Sequence, residues 1–155
     1  MTSRVLVALR IAAPPPRVFE AFTAEIGQWW QPHTLFPFTE RRDGRLAIDP
    51  ELGGRVTETY PDGDEFTIGR VLVWEPPTRL VLSWRAATFP PGQETAVHVR
   101  FEDMDGSTRV VVEHYGWDTL PQQHAARHGF PLFAFQQRLA EWWQSQLESL
   151  ARQTG

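Results

Sequence analysis

The stretch RVVVEHYGW, residues 109–117, places His114 two residues after Val112 and four after Val110. In a strand, residues two apart share a face. If that face is the inner one, an imidazole enters an apolar interior. There it can serve as a general acid or base, or as a polar handle for a ligand. The same pattern fits a core histidine with its hydrogen bonds satisfied, or a strand-end residue turning to water. Two other residues could pair with it. Glu58 has the parity of Val56 and Tyr60, and Arg70 that of Phe66, Ile68, Leu72 and Trp74. A single β-bulge flips such assignments. His114, Glu58 and Arg70 are thus the candidate catalytic residues, and the sequence singles out no definite catalytic set.

Other chemistries are excluded by residue type. The chain has no Cys, which removes disulfides, thiol catalysis and cysteine metal sites. Its 15 basic residues are all Arg, which removes lysine nucleophiles and Schiff bases. No serine has a G-x-S-x-G context, and no phosphate-cradling glycine loop is present. His124 and His128 in HAARH have the i, i+4 spacing of paired metal ligands on a helix, but no third ligand accompanies them. His33 is expected at the surface. No metal and no cofactor are expected.

The other chemical resource is aromatic. EIGQWWQPHTLFPF, residues 25–38, holds Trp29, Trp30, Phe36 and Phe38 along with two prolines. Such rings either fill core or wall a pocket for an apolar molecule. Adjacent tryptophans cannot easily point the same way, so one of Trp29 and Trp30 is expected in the core and the other toward cavity or solvent. Trp142 and Trp143 raise the same question on a later segment, with core the expectation for both. Trp117 either caps a cavity mouth or anchors a loop. The candidate ligand-binding residues are Trp29, Trp30, Phe36, Phe38, Trp84, Phe101, His114, Trp117, Phe135 and Trp143.

These residues need elements to position them. Val5, Val7, Leu9 and Ile11 alternate as a first strand rather than a signal peptide. APPPRVFEAFT predicts a short helix from about residue 15 to 23, with proline in its first turn. From residue 44 onward six strands are expected, separated by Gly53-Gly54, Asp62-Gly63, Pro76-Pro77, Pro90-Pro91-Gly92 and Asp105-Gly106. Phe135, Leu139, Trp142, Trp143, Gln146, Leu147 and Leu150 recur at helical spacing and predict a long amphipathic helix over 132–152. About seven strands in one curved antiparallel sheet must bury one face, and that helix is the large apolar partner available. The expectation is an α+β fold in one domain over 1–155, with a cavity where sheet and helix do not meet fully.

Several of these segments in order, "APPPRVFEAFT", "WW", "GGRV", "EPPTRLVLSW", "GSTRVVVEHYGW" and "EWWQSQLESL", resemble the activator of Hsp90 ATPase homologue family within the START-like, Bet v 1-like (SRPBCC) superfamily. The resemblance spans about residues 4–152. It implies a helix-grip fold: a seven-stranded antiparallel sheet around a long C-terminal helix, with short N-terminal helices. It also implies a hydrophobic cavity for lipids, polyketides or similar apolar molecules, and a link to stress response. It brings no fixed catalytic motif.

The expected function is binding of a small apolar or amphipathic ligand between sheet and helix. A cyclase or dehydratase using an acid/base pair in the cavity is the first alternative, and an Hsp90 co-chaperone-like interaction module the second. A formal charge of -4 gives no footprint for nucleic acid. No run of 18 apolar residues spans a membrane. The expected location is the cytoplasm, with a protein partner or homodimer left open.

Overall fold

The computed structural model describes residues 4–31, 38–41, 43–89, 92–117 and 132–154. Its elements follow in the order β1 (Arg4–Ile11), α1 (Pro15–Thr23), α2 (Ile26–Trp29), β2 (Arg45–Ile48), β3 (Arg55–Thr59), β4 (Glu65–Glu75), β5 (Arg79–Trp84), β6 (Thr95–Met104), β7 (Ser107–Tyr115) and α3 (Leu132–Thr154). The seven strands form one antiparallel sheet in the order β1-β7-β6-β5-β4-β3-β2. Consecutive strands from β2 to β7 are neighbours in the sheet. The first strand closes onto the last. The result is the α+β, helix-grip architecture, a curled sheet around its C-terminal helix.

Local chemistry explains the turns and helix starts. Asp105 and Gly106 take φ values of 57° and 95°, and the flanking Met104 and Ser107 pair directly. Two consecutive positive φ angles make the tight turn whose twist matches a hairpin, and Asp-Gly is a sequence that tolerates it. Pro15 and Pro16 open α1, where no intrahelical N–H is needed.

One face of each element is buried. On β5, Leu80, Leu82 and Trp84 point inward; on β6, Thr95, Val97, Val99 and Phe101; on β7, Thr108, Val110, Val112 and His114. From α3, Phe135, Leu139, Trp143, Leu147 and Leu150 are fully buried against them, and Trp142 nearly so. Each such side chain contributes about 1.5–3 kcal/mol relative to exposure. The C-terminal half of α3 is also tied to the end of α2. Gln146 accepts from the Gln31 backbone N–H (2.9 Å) and donates to its carbonyl (2.6 Å), while Ser149 donates to the Trp29 carbonyl.

Strand β4 departs from strict alternation. Its pairing shifts register against β3 near Val56/Thr57 and against β5 between Val71 and Val73. Between these shifts the faces are exchanged. Ile68 and Val71 are inward, while Arg70 and Leu72 are exposed. Trp74 then returns to the inner side against Phe19 of α1. Gly69 sits at the irregularity because a Cβ there would lie 1.8 Å from the Ser83 carbonyl oxygen. Parity alone grouped Arg70 with Ile68, and this bulge separates them.

Candidate functional site

His114 lies at the end of β7, fully buried, and both of its ring nitrogens are engaged. The Trp143 indole N–H donates to Nδ1 at 3.0 Å, and Nε2 lies 2.7 Å from the Thr95 hydroxyl. An indole nitrogen can only donate, so Nδ1 is the acceptor and Nε2 carries the proton. Nε2–H therefore donates to Thr95, whose hydroxyl donates to the Trp84 carbonyl at 3.0 Å. This relay joins α3, β7, β6 and β5. Burial pushes the imidazole pKa down to about 3, so the ring is neutral at ordinary pH. Thr95 was not singled out in the sequence. Its parity with Val97 and Val99 is the signal that could have placed it inward, but nothing local pairs it with His114.

Around this relay the rings form a continuous cluster. Trp30 is half-buried and, among the described residues, packs on five others: Trp29, Phe38, Trp84, Trp142 and Trp143, with centroids 5.4–6.2 Å apart. Trp84 touches Phe38, His114 and Trp143. Trp117 continues the cluster from His114 (5.2 Å) to Phe135 (4.9 Å) and Phe89 (5.3 Å). Many of the pairs are edge-to-face or steeply tilted, the arrangement aromatic quadrupoles favour. Of the two adjacent tryptophans, Trp29 is the core residue. It is 1% exposed, and its indole N–H donates to the Ala21 carbonyl at 2.7 Å.

Seven of the ten candidate ligand-binding residues thus meet in one place: Trp30, Phe38, Trp84, His114, Trp117, Phe135 and Trp143. Trp29 borders them from below. Phe101 lies elsewhere, under α1 with Phe19 and Phe22. Phe36 falls outside the described residues, as do His33, His124 and His128.

The candidate acid/base set does not assemble. Arg70 is exposed on the outer face, displaced there by the bulge at Gly69. Glu58 does face inward, opposite Leu46 and Phe66, but at the far side of the sheet. Strands β7 and β3 are four steps apart in the sheet, roughly 19 Å at the usual strand spacing. Glu58 accepts from the Tyr60 hydroxyl at 2.5 Å, and that hydroxyl lies 2.7 Å from the Thr39 hydroxyl. Burial raises the carboxyl above its ordinary range, against the opposing effect of these hydrogen bonds.

Another ionisable cluster sits on the outer face, where Glu113 is 4% exposed beneath Arg4, Arg100 and Tyr115. The Tyr115 hydroxyl, then the two guanidinium groups, hold its carboxyl below the ordinary range. It stitches β1, β7 and β6 together on the side away from the aromatic cluster. An open groove of about 420 Å3 lies between α1 and the β4–β5 turn, lined by Phe19, Trp74, Pro16, Pro50, Pro76 and Pro77 among others. Among the described residues, no group of three or more His, Asp or Glu side chains is placed to hold a metal. Nor is any helix among them long and apolar enough to cross a membrane.

Comparison with solved structures places this geometry. Protein MLL2253 from Mesorhizobium loti superposes with a TM-score of 0.66 at 20% identity, covering 97% of this chain and 95% of that one. CalU16 from Micromonospora echinospora gives 0.58 at 19% identity, with 97% and 81% covered. Both likenesses concern the fold. Txn09, an anthrahydroquino-γ-pyrone synthase solved as a complex, is 29% identical with a TM-score of 0.52, covering 88% and 86%. No curated protein sequence matches the chain. The profile described as "Activator of Hsp90 ATPase homolog 1-like protein" matches residues 12–153. With that profile matching nearly its whole length, the chain belongs to the activator of Hsp90 ATPase homologue 1-like family.

Proposed function

We propose that the protein binds a small apolar molecule against the aromatic cluster between α3 and the β5–β7 end of the sheet. The observation that carries this reading is Trp30. Among the described residues it contacts five other rings yet is not fully buried, so part of a rigid aromatic ring remains accessible above a packed floor. The floor itself is uncharged, because His114 is neutral and spends both nitrogens on Trp143 and Thr95. The 29% identity to a synthase named for a fused aromatic product supports a planar aromatic ligand.

The test is a titration of intrinsic tryptophan fluorescence with a panel of planar aromatic and lipid-like molecules, repeated on Trp30→Ala. Saturable quenching at micromolar concentration, lost in a variant that still melts cooperatively, is the expected result. A panel in which no member alters either emission or thermal midpoint sinks the reading.

A synthase-type reaction on the bound molecule is a second reading, favoured by the same relative. It would not run on His114, Glu58 and Arg70 together, since they lie apart. The co-chaperone reading gains no support from the described surface, where the exposed large apolar residues are Leu6, Leu52, Leu72 and Met104 and none is aromatic.

A further inference from the structure

Trp117 follows β7 and is 5% exposed, enclosed by Phe89, His114 and Phe135. Its indole N–H is buried and has no acceptor among the described residues. The neighbouring relay explains why. Both nitrogens of His114 are already committed, so the ring beside Trp117 offers it no lone pair. A buried donor without a partner is costly, and native proteins keep few of them. A second unmet group lies at the same end of the sheet. Gln93 Oε1 is enclosed and has no donor among the described residues. Gln93 enters β6 two residues before Thr95, and Trp117 leaves β7 two residues after Tyr115, which pairs with Ala96. The two groups do not meet each other. A donor and an acceptor are thus both unmet at one end of one strand pair. The surrounding rings carry no formal charge, so an ionised ligand would be buried there without a counterion.

We propose that the Trp117 indole N–H is the hydrogen-bond donor of the ligand site, and that it selects a neutral, planar aromatic molecule bearing a carbonyl oxygen over its hydrocarbon counterpart. This rests on the ligand-binding reading proposed for the aromatic cluster. The donor discriminates because a ligand lacking the acceptor leaves the N–H unpaired, whereas a ketone satisfies it.

The experiment compares 9-fluorenone with fluorene, which differ at the carbonyl, by calorimetric titration of wild type and Trp117→Phe. Wild type is expected to prefer the ketone by about tenfold, the equivalent of one hydrogen bond. In Trp117→Phe the preference falls to within about twofold. In parallel, the Trp117 indole resonance in a 15N–1H spectrum of wild type moves downfield with fluorenone and not with fluorene. That measurement stands even if the variant does not fold. Equal binding of both molecules by wild type, a preference that survives in Trp117→Phe, or an unmoved Trp117 resonance overturns the proposal and leaves ligand binding intact. Failure of wild type to bind either molecule, or any member of the wider panel, overturns both.

Discussion

The buried imidazole of His114 makes stability depend on pH in a way that can be worked out in advance. In the unfolded chain the group has its ordinary pKa of 6.5, and in the folded protein burial lowers it to about 3. Between these values the unfolded state binds the proton and the native state does not. Stability is therefore fully present above 6.5 and is lost as pH falls toward 3. From pH 7 to pH 5 the linkage integral amounts to about 2 kcal/mol. For a chain of this size that is a fall of about 1 M in the urea midpoint. His98 has its pKa lowered as well, by burial and then by Arg79, and adds to the slope with the same sign. The variant His114→Gln removes one contribution and keeps the other. Glutamine retains an acceptor for Trp143 and a donor for Thr95, which favours a folded variant. Urea melts of both proteins at pH 7 and pH 5 should show the gap between them narrowing by about 2 kcal/mol at the lower pH. An equal loss in the two proteins refutes the reasoning. So does an NMR titration that finds the native His114 ring protonating near its ordinary pKa.

Three further outcomes follow from the same contacts. Thr95→Val, nearly isosteric, strips the acceptor from His114 Nε2–H and should lower stability by about 1–3 kcal/mol in chemical melts at pH 7, with no change in the fold's circular dichroism. Gly69→Ala drives a Cβ into the Ser83 carbonyl at 1.8 Å and should cost upward of about 3 kcal/mol; a loss under about 1 kcal/mol would mean that the bulge yields easily. Glu58 has a folded pKa raised above its ordinary value of 4.5, so the stability it contributes is present below that value and declines as pH rises through the folded pKa. Comparing Glu58→Gln with wild type at pH 4.5 and pH 7 should show the variant gaining relative stability at the higher pH.

Much of the fold could be read from short-range chemistry. The Gly-Gly, Asp-Gly and Pro-Pro punctuation separated the strands, and the apolar periodicity of 132–152 gave a helix that extends to Thr154. Alternation also put His114 on the face of Val110 and Val112, which is the inner one. What stayed hidden depended on partners distant in sequence. Nothing near residue 114 announces Thr95 or Trp143, which come from two other elements and decide that the ring is neutral and occupied. Nor does Gly69 announce a bulge, since a lone glycine in a strand has several meanings. Its role rests on how closely β5 approaches. Arg70 was misplaced by that one residue. Most of the aromatic candidates cluster because large rings gather where a sheet meets a helix, although Phe101 joined the group beneath α1.

The pairing of β1 with β7 has a consequence for how the chain is made. Arg4 lies opposite Tyr115, and Ile11 opposite Thr108. Of the seven strands, the first to be synthesised is thus hydrogen-bonded to the last. At translation rates of about 5–20 residues per second it waits on the order of ten seconds for its partner. Meanwhile β2 to β7 can assemble one hairpin at a time, each from adjacent sequence. Closure of β1 is then the strand pairing with the longest loop, and α3 packs beside the same strand. Of the seven strands, β1 is made first and has the longest wait for its partner.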